Sequence, residues 1–119
     1  RAVAPGVHAL SNHLLDEPWP KVTKAREAMR AGVADDDAPL FAMLSDATPA
    51  PDRALPDTGV GLERERWLSP ILIAGETYGT RASTVLRVHA RGETHFEERT
   101  RDASGAVTAT AAFDFRLPG

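Results

Sequence analysis

The sequence predicts an α+β fold in which an antiparallel β-meander is covered by two helices. Apolar residues recur at helical spacing in the first part of the 119-residue chain, whereas they alternate with polar residues in its last third. Short turns rich in Gly and Asp separate the alternating segments, which is typical of hairpins. Because the apolar face of such a sheet must be buried, the two helices are its expected cover.

The first element is a short apolar run at residues 7–10, which is predicted as an edge strand. A helix follows. Asp16 is placed to cap it, Pro18 and Pro20 fit its first turn, and Gly32 is expected to end it.

A second, shorter helix is predicted where the acidic run 35–37 precedes Pro39 and apolar residues follow at 40–44. Residues 47–61 contain Pro and Gly without any periodicity and are predicted as a long ordered loop. One further helical turn is expected at residues 63–67.

The last third is predicted as the meander itself. After a continuous apolar run at 71–74, the predicted strands span residues 84–90, 94–101 and 107–117, with turns at 91–92 and 102–105. In the first of these strands the alternation places Thr84, Leu86 and Val88 inward.

Composition excludes several classes of function. The net charge is −3, from 14 basic and 17 acidic residues spread along the chain, so no basic stripe for nucleic acid is present. No apolar run approaches the roughly 20 residues of a transmembrane helix, and the chain has no cysteine. We therefore expect one soluble domain at most, in a reducing compartment such as the cytoplasm.

One arginine stands at the mouth of a predicted strand. Arg81 follows Gly79 and Thr80, and Ser83 lies two residues further on. A guanidinium beside a flexible glycine and hydroxyl side chains is an arrangement that holds carboxylates and other anions. Thr80, Arg81 and Ser83 are therefore predicted to bind an anionic small-molecule ligand. The alternative is a surface ion pair of Arg81 that contributes little to stability.

Two residues near the start are further candidates. Asn12 follows an apolar run, where its carboxamide could donate to an oxyanion, although a turn-forming asparagine is the alternative. Trp19 is either a core or interface anchor or a surface on which a ligand ring packs. Neither residue is a nucleophile.

Other chemistry is not expected. The four histidines lack the spacing of zinc enzymes, so no metal site is predicted. The chain contains no serine-hydrolase elbow, phosphate-binding glycine loop or dinucleotide fingerprint.

Several blocks of the chain together resemble the C-terminal half of the Asn-Arg-Asp-Glu (NRDE) family, whose animal members are called transport and Golgi organisation proteins. These blocks keep their order over nearly the whole chain. They are Gly6-Val7-His8-Ala9-Leu10-Ser11-Asn12, Asp16-Glu17-Pro18-Trp19-Pro20-Lys21-Val22, Leu55-Pro56-Asp57-Thr58-Gly59-Val60, Ser69-Pro70-Ile71 and Gly79-Thr80-Arg81-Ala82-Ser83-Thr84-Val85.

The resemblance implies an N-terminal-nucleophile-hydrolase-like αββα sandwich for the complete protein. Family members begin with a cysteine and carry the Asn-Arg-Asp-Glu motif, and neither occurs here. Residues 1–119 are therefore expected to be the C-terminal portion of a single family domain, with its own N-terminal half as partner.

Two functions follow from this resemblance as expectations, and a third possibility is an inactive structural or partner-binding domain, for which the sequence offers only the Pro-rich loop at residues 47–61. The first is the handling or trafficking of a small ligand, with haem as the possible cargo, because relatives in this family are linked to intracellular haem movement. Arg81, together with the basic face of the first helix, would accept the propionates of haem, and either Trp19 or Trp67 would pack on the ring. The alternative is a cysteine amide hydrolase whose nucleophile lies on the N-terminal segment, with Asn12 and Arg81 as catalytic auxiliaries.

Overall fold

The computed structural model describes residues 2–31 and 36–118. These residues form three α-helices, one 3-10 turn and one antiparallel sheet of three strands, which confirms the predicted α+β fold and its meander. The chain divides into two compact units, Arg1–Ile71 and Leu72–Gly119, which we call the helical unit and the sheet unit.

Helix α1 spans Pro20–Ala31. Proline suits this first position because a helix leaves the N–H there unpaired in any case. The predicted cap at Asp16 is wrong. Asp16 has a φ of 58°, and its backbone N–H donates to the Ala9 carbonyl over 2.8 Å, so it closes a turn before the helix. The predicted helix end at Gly32 lies outside the described residues.

Helix α2 spans Ala38–Leu44 and confirms the second predicted helix. It contacts α1. The core of the helical unit includes Val22 of α1 and Leu40 and Phe41 of α2, which are exposed by only 3%, 6% and 2%. Burial of such side chains is the main favourable contribution to this packing.

Side chains of helix α3, Leu62–Leu68, hold the Pro-rich loop that precedes it. The Arg66 guanidinium donates two hydrogen bonds, of 2.8 and 2.6 Å, to the Asp52 carboxylate in the 3-10 turn Asp52–Ala54. The buried Glu65 carboxylate accepts hydrogen bonds from the backbone N–H and the hydroxyl of Thr58, at 2.8 and 2.6 Å. The loop is therefore ordered by specific contacts, as the sequence predicts.

The sheet unit contains the strands β1, β2 and β3 in that spatial order, at Ala82–Val88, Glu93–Arg101 and Val107–Arg116. Gly92, with a φ of 93°, makes the first turn, and its N–H donates to the His89 carbonyl over 2.8 Å. The predicted edge strand at residues 7–10 and the apolar run at 71–74 form no strand.

The two faces of the sheet differ in burial in an unexpected way. Residues directly opposite in the antiparallel register share a face, which places Leu86, Phe96 and Phe113 in one row and Val88 and Phe115 beside them. Together with Ala111 on the same side, these residues form what we call the apolar face, namely Leu86, Val88, Phe96, Ala111, Phe113 and Phe115.

The apolar face is largely exposed. Leu86 and Phe113 are each 58% exposed, and Val88 is 53% exposed. The prediction that Thr84, Leu86 and Val88 point inward is therefore wrong. The opposite face carries the buried Ser83 and Val85 instead.

Within residues 2–31 and 36–118, every helix is too short or too polar to span a lipid bilayer.

Candidate functional site

Arg81 lies at the entrance to β1 and is held by a loop of its own unit. Its Nη2 donates to the carbonyl oxygens of Gly75 and Glu76, and its Nη1 donates to the Thr80 carbonyl at 3.4 Å. Carbonyl oxygens orient a guanidinium but leave its charge intact. The side chain is exposed, and among the described residues it makes no ion pair. The described residues therefore do not form the surface ion pair that was the alternative prediction for Arg81.

The loop that holds Arg81 depends on Thr80 and Gly79. The Thr80 N–H donates to the Ile73 carbonyl at 2.7 Å, and the Thr80 hydroxyl accepts the Ile73 N–H at 3.0 Å. A Cβ on Gly79 would lie 2.6 Å from the Ile73 carbonyl oxygen. The hydroxyl of Thr80 thus closes the loop, and glycine at position 79 lets two backbone segments approach.

Ser83 is buried, with 4% exposure, and its hydroxyl accepts a hydrogen bond of 2.9 Å from Nε of the buried Arg101. Arg101 also donates to the Gly105 carbonyl, so the pair fastens the β2–β3 turn to β1. In this structure the Ser83 side chain stabilises the sheet unit rather than lining an open surface.

Asp102 carries the negative charge near Arg81. The Ser104 hydroxyl donates a hydrogen bond of 2.6 Å to this carboxylate. This hydrogen bond is the main reason why the pKa of Asp102 lies below its usual range, and the positive charge of Arg81 lowers that pKa further. The field of Arg81 at this corner of the sheet unit is therefore partly offset.

Asn12 lies in the helical unit, on an exposed bend. The bend is closed by Asp16, whose carboxylate accepts the Ala9 N–H at 2.8 Å and pairs with His8 Nδ1 at 2.6 Å. This pairing with His8 is the main cause that lowers the pKa of Asp16 and raises that of His8. Among the described residues, the Asn12 carboxamide has no hydrogen-bond partner.

Trp19 precedes α1 and stacks on His13, with ring centroids 5.6 Å apart and an interplanar angle of 25°. One face of the indole is therefore already occupied by a neighbouring ring. Thr80, Arg81 and Ser83 belong to the sheet unit, whereas Asn12 and Trp19 belong to the helical unit. That Asn12 and Arg81 act together as catalytic auxiliaries stays a prediction.

The helical unit contains a pocket beside the basic face of α1, where the sequence predicted a ligand-accepting surface but no pocket. Its volume is about 270 Å³, and both lysines of the chain line it, together with residues of the Pro-rich loop. The lining residues are Pro20, Lys21, Lys24, Thr48, Pro49, Ala50, Pro51, Ser69 and Ile71. The sequence did contain a sign of a basic site, because the only two lysines of the chain stand three positions apart at the start of a helix and so share one side of it.

A family model described as "Transport and Golgi organisation 2" matches residues 1–103. The chain is similar to the Transport and Golgi organization 2 homolog of Mus musculus, with 30% identity over 97% of this chain and 46% of the relative. It is also similar to the homologs of Bos taurus, at 32% identity over 97% of this chain and 46% of the relative, and Homo sapiens, at 30% over 93% and 45%. The chain thus spans about half the length of the curated relatives it matches.

Proposed function

This chain belongs to the Transport and Golgi organisation 2 family, as its sequence blocks indicated, and we propose that it contributes the anion-facing part of a domain that handles a small ligand. Haem is the candidate cargo, because the family resemblance implies it. Arg81 is the proposed contact for a carboxylate of the ligand, and a cytoplasmic location is part of the same proposal.

The observation that carries this proposal is the state of Arg81. Its guanidinium is exposed, is oriented by carbonyl oxygens and has no carboxylate partner among the described residues. Such a group is ready to receive a propionate or another carboxylate, since charge-assisted hydrogen bonds to guanidinium are among the strongest in proteins. Thr80 supports this arrangement by closing the loop.

The rest of the family domain is the proposed partner of this chain. The apolar face exposes Leu86, Val88, Phe113 and Phe115 by 47% or more. A contiguous exposed apolar surface of this kind marks an interaction site. The curated relatives have more than half of their length outside the match to this chain, which offers an occupant of the required size. We propose that residues 1–119 are one portion of a single domain whose other portion covers this face.

The haem proposal is tested by titration of the complete natural protein. We expect a saturable shift of the haem Soret absorbance, about tenfold weaker in affinity for Arg81→Ala because one charge-assisted contact is lost. Arg81→Lys keeps the positive charge but lacks the planar set of guanidinium N–H donors, so its haem affinity should lie between those of the natural protein and Arg81→Ala. Arg91→Ala is the control, because Arg91 is exposed in the β1–β2 turn, outside the Arg81 loop.

Two results would remove haem from the proposal: a natural protein that gives no saturable shift, or an affinity that falls equally in Arg81→Ala and Arg91→Ala. The amide-hydrolase alternative rests on the exposed Asn12 carboxamide, which has no partner among the described residues. It predicts amine release from acyl amides by the complete natural protein, with turnover lowered in Asn12→Ala.

A further inference from the structure

The pocket of the helical unit is held open by contacts of its walls. Ser69 donates to the Arg66 carbonyl at 2.7 Å and accepts the Ala50 N–H at 2.9 Å, which fixes the loop against the end of α3. On the opposite side, Asp46 accepts the Thr48 N–H at 2.9 Å. A site whose walls are already in place loses little conformational freedom when it binds a ligand.

The two lysines of the pocket are in different electrostatic states. Lys24 forms an ion pair of 2.7 Å with Asp46, so its charge is offset. Lys21 is half-buried, and among the described residues its ammonium has no hydrogen-bond or ion-pair partner. Burial without a partner lowers the pKa of Lys21, since desolvation disfavours the charged form. An anion in the pocket would supply the missing partner.

The remaining lining selects the kind of anion. Pro20, Pro49, Pro51 and Ile71 give the pocket apolar walls. Its volume of about 270 Å³ is slightly below the usual range for drug-sized ligands, so a small ligand fits it better than a macrocycle such as haem. A small acid with a short apolar body would satisfy both the charge and the walls.

We propose that this pocket binds a small organic carboxylate, with its carboxylate on Lys21 and its apolar body against the proline walls. Lys24 also lines the site, and its ion pair with Asp46 holds the loop in place. The pocket shares no residue with the Arg81 loop, so this proposal does not rest on the function proposed above. Its failure would leave that function untouched.

The low lysine content of the chain permits a direct experiment. Reductive methylation of the complete natural protein with ¹³C-formaldehyde keeps the lysine charge and gives each lysine its own NMR signal. Lys21→Arg and Lys24→Arg identify the signals of the two pocket lysines. The probes are acetate, butyrate and hexanoate as a series of growing apolar body, inorganic phosphate as a small anion without one, and butyramide as the uncharged analogue of butyrate.

We expect butyrate to shift the Lys21 signal saturably in the millimolar range, with the affinity rising from acetate to butyrate as more apolar surface is buried. Butyramide should bind at least about tenfold more weakly, because the charge-assisted hydrogen bond is absent. Lys21→Gln should weaken butyrate binding, read from the Lys24 signal, by a similar factor. Arg30→Gln removes one exposed charge from α1 outside the pocket and should leave the affinity unchanged.

Three outcomes would overturn the proposal. In the first, butyrate leaves the Lys21 signal of the wild-type protein unmoved, a result that does not depend on the folding of any variant. In the second, butyramide binds as tightly as butyrate. In the third, phosphate binds as tightly as butyrate, which would mean a site for small anions in general in which the proline walls select nothing.

Discussion

At the scale of single residues, the structure separates the anion-facing candidates by what each side chain already contacts. The sequence predicted that Thr80, Arg81 and Ser83 act together, because they are adjacent and polar. Only Arg81 keeps an exposed charge, whereas the hydroxyls of Thr80 and Ser83 accept hydrogen bonds within the loop and the sheet. This distinction could not be predicted from the sequence, since Arg101, the partner of Ser83, lies 18 positions away.

The Lys24–Asp46 pair gives a prediction about pH at this scale. The hydrogen bond from Lys24, assisted by the Thr48 N–H, lowers the pKa of Asp46 to about 2. An unfolded aspartate titrates near 3.9. The pair therefore contributes stability above that pH, and the contribution is lost as the pH falls through the folded value. We expect about 1 kcal/mol or less, because the pair is partly exposed and screened by solvent.

Urea unfolding of the natural protein and of Asp46→Asn between pH 2 and pH 6 measures this contribution. The free-energy difference between the two proteins should shrink as the pH falls below about 4. Glu27→Gln, on the exposed surface of α1, is the control. A difference that stays constant across the range would show that the ion pair does not stabilise the fold.

At the scale of secondary-structure elements, the sequence predicted which helices and strands form better than it predicted where they begin or which face of a strand is buried. The spacing of apolar residues predicted α1, α2 and the three strands, because that signal is local. The start of α1 at Pro20 was missed, since Asp16 has the residue type of a cap but bonds to Ala9 instead. The inward face of β1 was also wrong, because alternation fixes two faces without saying which of them is covered.

The loop before β1 gives a prediction at the element scale. A methyl group at position 79 would lie 2.6 Å from the Ile73 carbonyl oxygen and 2.8 Å from Arg81 Nη1. Gly79→Ala should therefore force the loop apart and destabilise the protein by roughly 1–3 kcal/mol. The urea midpoint measures this loss, and haem affinity should fall with it, since the same loop orients Arg81.

Gly59→Ala is the matched comparison for that variant. A Cβ there meets no heavy atom within 4 Å, so it reports only the strain of its positive φ of 86°. A Gly79→Ala variant that is as stable as the natural protein would contradict the steric role of Gly79.

At the scale of the whole molecule, the unequal burial of the two sheet faces is the feature to explain. One face buries Ser83 and Val85 of β1, whereas the more apolar face leaves most of its large side chains exposed. A sheet normally buries its apolar face, and an exposed one is a site of association. The α+β class was predictable from the sequence, but the exposure was not, because the alternation of apolar and polar residues does not say which of the two faces is covered. The packing of the helices on the sheet and the αββα sandwich stay predictions.

The most direct test of the central claim, that this chain is one portion of a family domain, is the accessibility of two neighbouring positions on β3. Ala111 lies on the apolar face and Ala112 on the other, and both are exposed in this structure. The 119 residues contain no cysteine, so Ala111→Cys and Ala112→Cys each place one thiol in this segment for maleimide labelling, read on its own peptide by mass spectrometry. In the complete natural protein we predict that Cys labelling at position 111 is at least about tenfold slower than at position 112, and that urea makes the two rates equal, because a covered site reacts only when it opens. Equally fast labelling of both positions in the folded complete protein would contradict the claim.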